Sequence, residues 1–344
     1  MTITGSGNEF FTVAQYGKEA ATARGTAVAA TRIRVGVAPR ITSDSKPEFI
    51  QEQFNIRMAA RRVHVYERLY TNTLSTPNAG FQQCILPFAT GLKGAVTASE
   101  QTSGQADYLW AFTPGLTVAA GDNSPDSFTL QLGDEQQAWR VPYCMTDRIT
   151  LKGKVSQDGG AAPVSLESSF FGRYIEENAF TASQALEGST PMNAKLAQLF
   201  VDTSWAGVGG TEVTDALDEF TVDIMTGVHP VFRGSTTNYF NKHREGLIDY
   251  TATFVVESAL RDELLSSQQA GSLQVVRLKI NGPQIGSGDT HDLTIDMGGA
   301  WEDITPRDNA DRGDNLATVA FRAHYDDTGA KGLQVNLTTN QQTF

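Results

Sequence analysis

The sequence has little of three things that define common protein classes: cysteine, excess positive charge and long apolar runs. Only Cys84 and Cys144 occur in 344 residues, which excludes a disulfide framework or a cysteine-rich zinc site, and we expect two reduced, buried thiols. Acidic residues (39) outnumber basic ones (27), and the formal net charge of -12 argues against a conventional reader of DNA or RNA. No stretch approaches the ~20 apolar residues of a membrane-spanning helix, and residues 1–11 do not resemble a signal peptide. These features predict folding in a reducing cytoplasm.

Recognisable catalytic motifs are also missing. The five histidines are scattered, and the sequence contains no HExxH, GxSxG or Walker A motif. Gly207–Gly210 precedes Thr211 rather than a lysine, so it predicts an ordinary turn. Asp308, Asp311 and Asp314 could form a calcium site, but their spacing does not match an EF-hand, and we favour a solvated acidic loop. The sequence therefore predicts a protein that is not an enzyme and needs no cofactor or metal.

What is present indicates a protein rich in β-structure. Apolar residues make up 40% and charged residues 19%, which is enough for real cores and too little charge for a disordered chain. The 32 glycines and the scarcity of helical patterns favour many strands and turns. The length is about twice a typical domain of ~150 residues, so two domains are expected.

Alternating apolar and polar residues predict two β-hairpins of similar design. In the first, residues 149–155 alternate, a glycine-containing turn follows at 158–160, and residues 164–170 return. In the second, residues 319–325 lead through a turn at 327–329 to residues 333–337. We therefore expect each of these segments to fold back on itself as a hairpin.

The two hairpins belong to a longer collinear match that indicates an internal duplication. Trp139 and Trp301 are 162 residues apart, and Val164 and Val335 are 171 residues apart. The polar, glycine-containing stretch 183–190 is a plausible linker, so we predict one β domain over residues 1–190 and a second over 191–344. A short amphipathic helix is expected between Glu257 and Gly271, and another is expected after Asn193.

Each half also contains a long polar excursion that is basic and aromatic against the acidic background. The excursions are Arg57–Gly80 and Val231–Asp249, and loops of this length are usually functional or disordered. The basic cluster of the first excursion could be a nucleic-acid patch, but the net charge favours pairing with acidic residues on a neighbouring subunit. The candidate inter-subunit contact residues are Arg57, Arg61, Arg62, Arg68, Tyr239, Phe240, Lys242 and Arg244.

Two long segments resemble the major tail tube proteins of long-tailed bacteriophages with non-contractile tails. The first, Ala106–Phe171, contains "ADYLWAFTPGLTV", "DSFTLQLGDEQQAW" and "YCMTDRITLKGKVSQDGGAAPVSLESSFFGR" up to its last two letters. The second runs from "DEFTVDIMTGVHPVFRGST" through "GDNLATVAFRAHYDDTGAKGLQVNLTT". Together they cover about half of the chain, and the motifs are diffuse strand and turn patterns rather than a fingerprint.

The resemblance implies a mainly β fold of two tandem tail-tube-like β-sandwich or barrel domains, each with a short flanking helix and a long hairpin loop. A subunit with two such units is similar to the variant that forms trimeric rings with pseudo-sixfold symmetry. The rings stack head-to-tail into a virion tail that is assembled in the host cytoplasm. Ring-to-ring contacts are expected from the two excursions and from Met1–Gly25. The implied partners are the tape-measure, tail-tip and tail-terminator proteins, with genomic DNA passing through without specific binding.

The charge distribution fits a conduit that does not bind its cargo. Residues 1–190 hold 16 basic and 18 acidic groups, a net of -2, and residues 191–344 hold 11 and 21, a net of -10. Because Lys and Arg bind phosphate strongly, we expect an acidic lumen. Two alternatives remain: a carbohydrate-binding or adhesin-like double β-sandwich of a phage tail, with calcium in the 308–314 loop, and a β-sandwich hydrolase, for which no catalytic constellation is evident.

Overall fold

The computed structural model describes residues 11–52, 55, 57, 62–134, 136–155, 160–308 and 315–344. The protein is mainly β, as the composition predicts. The strands of the first half are β1 (Val13–Lys18), β2 (Arg32–Ile33), β3 (Ser45–Ile50), β4 (Arg62–Arg68), β5 (Tyr70–Thr76), β6 (Ser99–Glu100), β7 (Tyr108–Ala111), β8 (Phe128–Gly133), β9 (Ala138–Lys154), β10 (Val164–Gly172), β11 (Glu176–Asn178) and β12 (Ala185–Leu186).

The second half contributes ten described strands, and each half has one described α-helix. The strands are β13 (Ala197–Asp202), β14 (Glu212–Val213), β15 (Leu217–Met225), β16 (Val228–Val231), β17 (Lys242–Glu245), β18 (Asp249–Glu257), β19 (Gln274–Gln284), β20 (Thr290–Asp308), β21 (Asn315–Ala323) and β22 (Leu333–Thr339). The helices are α1 (Ile85–Gly91) and α2 (Ser258–Ala270). Neither helix is long and apolar enough to cross a membrane, and the described part of the chain has no other candidate.

One continuous run of antiparallel strands connects the two halves. Its order is β5–β10–β9–β15–β18–β21–β20, and the halves meet where β9 pairs with β15. We call this run the continuous sheet. The first predicted hairpin is confirmed within it, with Leu166 opposite Leu151. Alternation explains its two faces, since Ile149 and Leu151 are buried while Lys152 is exposed.

The second predicted hairpin is confirmed only at its turn. The chain folds back there with an antiparallel bridge between Asp326 and Lys331, but no ladder between β21 and β22 is described. Both instead pair with the 19-residue strand β20: β22 along Asp292–Met297 and β21 along Gly299–Asp308. Alternation of apolar residues reports which face of a strand is buried, and it carries no information about which strand lies beside it.

The two halves nevertheless share a pattern of strand pairing. In the first half, β1, β8, β9, β10 and β5 are successive neighbours; in the second half, β13, β19, β20, β21 and β18 are. The alignment from sequence, which set β9 and β10 against β21 and β22, is therefore wrong by one strand. The tandem domains and the boundary at residue 190 stay predictions, because strands of the two halves pair directly and contribute to one apolar cluster.

Of the two predicted helices, one is present and the other is not. Helix α2 is confirmed, and it ends at Gly271 in the left-handed conformation that favours glycine. The helix expected after Asn193 is wrong: the Asn193 side chain caps a single 3-10 turn, and Leu199 already lies in β13. The buried helix α1 has no predicted counterpart, because all seven of its residues face protein and it therefore has no amphipathic pattern.

The two cysteines are free and buried, as expected. Burial raises the pKa of the Cys84 thiol to about 12 and that of the Cys144 thiol well above its ordinary value. At neutral pH both thiols are therefore protonated and inert, since the thiolate is the reactive form.

Candidate assembly surfaces

The continuous sheet has one face that is rich in hydroxyl groups. Along each strand the residues that alternate with the core point to this side, which we call the polar sheet face. Its serines and threonines are Thr71, Thr73, Ser75, Thr150, Ser165, Ser169, Thr221, Thr251, Thr253, Thr305 and Thr318. Short hydroxyl side chains therefore make up much of this polar surface.

The four Lys and Arg side chains that the structure describes on this face each contact a carboxylate. The pairs are Arg148–Asp223 at 2.6 Å, Lys152–Glu167 at 3.7 Å, Lys154–Glu219 at 3.7 Å and Arg322–Asp249 at 2.8 Å. Arg322 also lies 3.7 Å from Glu302. Asp303 adds a carboxylate that accepts a hydrogen bond from the Thr305 hydroxyl. The face therefore contains more described carboxylates than cations, and its cations are already paired.

The strongest of these pairs joins the two halves of the chain. Arg148 on β9 donates two hydrogen bonds to the two carboxylate oxygens of Asp223 on β15, at 2.8 and 2.6 Å. Thr150 donates a third at 2.9 Å. Partial burial raises the pKa of Asp223, but these hydrogen bonds and the nearby positive charges outweigh burial and lower it overall. Asp223 is thus held ionised at the seam between the halves.

Strands β3 and β4 form a two-stranded ribbon outside the large sheet, which we call the first hairpin. Pro47, Phe49, Val63 and Val65 lie on one face of this ribbon, because Phe49 is opposite Val63 and Pro47 is opposite Val65. All four are exposed, and Phe49 keeps 64% of its surface in solvent. A two-stranded hairpin is marginally stable by itself, so an uncovered apolar face of this kind favours a partner.

The opposite face of the first hairpin is polar and aromatic. Arg62 forms an ion pair with Glu52, and the rings of His64 and Tyr66 stack with their centroids 5.5 Å apart. Of the candidate residues predicted here, Arg57 and Arg62 are exposed, whereas Arg61 lies outside the described residues. The prediction of a long loop over Arg57–Gly80 is wrong for much of this range, because strands β4 and β5 occupy it.

The corresponding ribbon of the second half, β16 with β17, folds back on the chain; we call it the second hairpin. Phe240, in its connecting segment, is completely buried and packs against Tyr143 and Phe171 at centroid distances of 5.0 and 5.4 Å. Its side chain is therefore unavailable to another subunit, which corrects its prediction as a contact residue. Lys242 and Arg244 are exposed on β17.

The tip of the second hairpin contacts the base of the first. The backbone N–H of Arg68 donates to the carbonyl oxygen of Asn238 at 2.7 Å, and its guanidinium forms an ion pair with Asp44 at 2.5 Å. Tyr239 packs against Tyr174, with ring centroids 4.8 Å apart. Arg68 and Tyr239 are thus used within the chain, where they hold the two hairpins together.

Two adjoining clefts lie at the end of the continuous sheet opposite the first hairpin, and we call them together the far-end cleft. The first hairpin enters the sheet at Tyr70, and the pairing registers place Thr73, three residues further along β5, level with Asp249. Glu257 lies at the opposite end of β18. The nine residues of β18 separate these ends by about 26 Å. Each cleft has a volume of about 550 Å³.

The lining of the far-end cleft is acidic and apolar. Its described carboxylates are Asp202, Glu212, Asp215, Asp218, Glu257 and Glu263, and no described Lys or Arg lines it. Its apolar lining includes the half-buried Leu217 and Leu260 and the buried Leu264 and Leu316. Asp202 is occupied internally, since its carboxylate accepts hydrogen bonds from the backbone of residues 209–211.

The equivalent end of the first half is closed by the segment that links the halves. Phe81 N–H donates to the Thr190 carbonyl at 3.0 Å, and Met192 N–H donates to the Ala79 carbonyl at 2.8 Å. Gly80 is essential to this closure, because a Cβ there would come within 2.7 Å of Ser189. The linker therefore packs over this end of the first half.

Neither the predicted calcium loop nor the buried carboxylate of Glu19 forms a further binding site within the described residues. The 308–314 loop of the calcium alternative lies outside the described residues except for the backbone of Asp308. Elsewhere in the described chain no group of three or more His, Cys, Asp or Glu is placed to hold a metal. The buried Glu19 accepts hydrogen bonds from the Ser127 and Thr129 hydroxyls and from the Gly25 and Tyr143 backbones, which makes it a structural group.

None of the predicted inter-subunit contact residues lies on the apolar face of the first hairpin. The alternation Val63-His64-Val65-Tyr66 was the signal that could have revealed it, since it predicts a strand with one apolar side. The predicted contact residues of this segment are its arginines instead.

Comparison with known proteins adds no identification: no known protein family matches this chain, and neither does any curated protein.

Proposed function

We propose that this protein is a tail-tube subunit of a long-tailed phage with a non-contractile tail. In this proposal, copies assemble into rings, with three chains giving pseudo-sixfold symmetry, and the rings stack into a tube. The polar sheet face lines the lumen, and genomic DNA passes along it. Tape-measure, tail-tip and tail-terminator proteins are the expected partners in the virion tail.

The observation that carries the proposal is the continuous sheet with its polar face. Seven strand segments from both halves form one surface, and its hydroxyl groups and paired charges present no free described cation to a phosphate backbone. Phosphate binding by Lys and Arg is strong and salt-dependent, so a lumen of unpaired cations would retain DNA. The expected acidic lumen thereby becomes more specific: it is a hydroxyl-rich wall with a moderate excess of carboxylate.

The open edges of the same sheet support ring formation. Strand β5 has a ladder on one side, with β10, whereas its other edge meets the described chain at the single bridge between Val37 and Ser75; among the described residues, Ala300–Asp308 of β20 pair only with β21. Exposed edges readily pair with other chains, and addition of one copy to the next would satisfy both edges. Because the two edges are different, the contact is head-to-tail within the ring and closes when the rotation between copies completes a circle.

The repeated pairing pattern supports the pseudo-symmetry. Each half contributes one set of neighbours in the same order, and the two sets join at β9 and β15. Three chains would then present six similar units around the axis, which is the arrangement that the duplicated variant of the family implies.

Cryo-electron microscopy of concentrated protein tests the proposal. We expect rings and stacked tubes, with density for β5, β9, β15 and β18 around a central channel and the side chains of Thr73, Thr150 and Asp223 pointing into it. Dispersed monomers at every concentration and ionic strength would contradict self-assembly. Tubes with the polar sheet face on the outside would contradict the conduit.

A further inference from the structure

We infer that a cleft in the second half, beside the start of β18, binds a small aromatic amine that carries a hydroxyl group. The cleft has a volume of about 510 Å³ and lies between residues 115–123, residues 245–248 and the neighbouring ends of β18 and β21. We call it the tyrosine cleft, because Tyr250 is part of its lining. The inference goes beyond the proposed function and does not rest on it.

The walls of the tyrosine cleft are largely apolar. Leu116 and Ile248 are half-buried in it, whereas Val118 and Leu247 are 102% and 97% exposed at its rim. Sites for small molecules are lined mainly by apolar and aromatic side chains, and a few polar groups fix the orientation of the ligand. An exposed apolar rim of this kind therefore favours a ligand with an apolar body.

A buried hydroxyl without a partner supplies one of the polar groups. Tyr250 is 4% exposed, and its hydroxyl has no hydrogen-bond partner among the described residues. Burial raises the pKa of Tyr250, so this hydroxyl stays protonated at neutral pH and can both donate and accept a hydrogen bond. Because an unpaired buried hydroxyl is costly, a ligand that brings a hydroxyl of its own is favoured.

The first half has the corresponding position closed. In the shared pairing pattern, β5 opens with Tyr70 opposite Gly172, the last residue of β10, and Tyr250 is likewise level with the last residue of β21. The Tyr70 hydroxyl accepts a hydrogen bond from the Asn72 amide at 2.7 Å. A Cβ at Gly172 would come within 2.5 Å of Val141, so no space remains there. Of these two positions, the one in the second half alone combines an unpaired hydroxyl with an open cleft.

The charges of the lining select a positively charged ligand. Asp122 and Glu245 are carboxylates, and no described Lys or Arg lines the cleft. Glu245 is held in place because it accepts hydrogen bonds from the backbone N–H groups of Asn123 and Ser124, and Asp122 is exposed at the rim. The other titratable side chains of the lining are His324, Tyr250 and Tyr325. An ammonium group is attracted by the carboxylates and by the face of a tyrosine ring, whereas an anion is repelled.

Titration with tyramine tests this assignment. Tyramine is an aromatic ring with a hydroxyl at one end and an ammonium group at the other. Three matched probes each change one feature: phenethylamine lacks the hydroxyl, para-ethylphenol lacks the ammonium, and para-hydroxyphenylpropionate reverses the charge. The full chain is used at a concentration at which it stays dispersed. The methyl NMR signals of Leu116, Val118, Leu247 and Ile248 then report both affinity and location, and we expect tyramine to bind most tightly and the propionate not to bind.

Two pairs of variants separate the roles of the hydroxyl and the charge. Tyr250→Phe should weaken tyramine binding about threefold to tenfold, because one hydrogen bond is lost, and it should leave phenethylamine binding unchanged. The variant removes an unpaired hydroxyl, so we expect it to fold, and Tyr70→Phe is its matched control. Asp122→Asn should weaken both amines about twofold to fivefold without changing para-ethylphenol binding, and Asp303→Asn, outside the cleft, should change neither.

Three results would overturn the inference. The first is the absence of a saturable shift of these methyl signals with tyramine at any soluble concentration. The second is equal affinity for tyramine and phenethylamine, or an equal loss in Tyr250→Phe and Tyr70→Phe. The third is a methyl shift that grows with protein concentration in the absence of any probe, because a second copy of the chain would then be the occupant. Electron microscopy decides the tube proposal separately from all three.

Discussion

The two halves of this chain share a pattern of strand pairing but use their projecting ribbons in opposite ways. In the first half, the hairpin keeps Phe49 and Val63 in solvent, and the far end of the unit is closed by the linker. In the second half, the hairpin buries Phe240, and the far end opens into an acidic cleft. The comparison indicates how two halves with the same strand pairing can become asymmetric. The first half has an exposed apolar ribbon face, and the second half has an open acidic cleft.

The largest expected difference between the halves concerns stability. Phe240→Ala should lower the free energy of unfolding by about 3–5 kcal/mol, because it removes a fully buried aromatic ring and leaves a cavity. Phe49→Ala should change it by less than about 0.5 kcal/mol, because its ring is mostly exposed. Urea denaturation of both variants measures the contrast. Equal losses would mean that the first hairpin is also packed within its own chain.

We expect an effect of intermediate size on the pH dependence of the free energy of unfolding, and it arises in the second hairpin. His243 on β17 is within hydrogen-bond distance of the Tyr143 hydroxyl, at 3.0 Å. Burial, with a further contribution from Arg24, lowers the pKa of His243 to about 4. The folded state therefore binds fewer protons than the unfolded state between about pH 4 and 6.5, and its stability falls as the pH falls through this window.

The expected loss is about 2 kcal/mol after allowing for solvent screening of a group that is only partly buried. His243→Gln should remove this part of the pH dependence while other acid-sensitive groups continue to titrate. Unfolding measured at intervals from pH 7 to pH 4 checks the difference between the two proteins. An identical slope in both would show that His243 does not contribute.

The smallest effect on stability should come from the seam between the halves. Asp223→Asn should cost about 1 kcal/mol, because it weakens a partly exposed pair with Arg148. It should also leave Arg148 uncompensated on the polar sheet face, so double-stranded DNA should be retained at low salt and released as salt increases.

Asp303→Asn is the matched control for this DNA-binding measurement. It removes the same charge from the same face, where Asp303 accepts a hydrogen bond from Thr305 rather than from a cation. Equal DNA retention by the two variants would mean that net charge alone, rather than the pairing of Arg148, keeps the face from binding DNA.

Sequence patterns predicted the local structure well where burial alternated cleanly. The hairpin of β9 and β10, the helix ending at Gly271 and the buried thiols are all present. The role of the arginine-rich excursion stays a prediction, its apolar face has no counterpart among the predicted residues, and Phe240, predicted as an inter-subunit contact, is fully buried within the chain. Composition alone does not distinguish an aromatic ring that faces solvent from one that is covered by a distant strand.

The sequence by itself determined the fold class, the strands with one buried face, the reduced cysteines and the unequal charge of the two halves. Only the tertiary structure decided that β20 is shared by β21 and β22, that the halves join through β9 and β15, and that one hairpin projects while the other folds back. The physical reason is that alternation fixes the face each side chain occupies, whereas neighbours are chosen by packing between segments far apart in the chain.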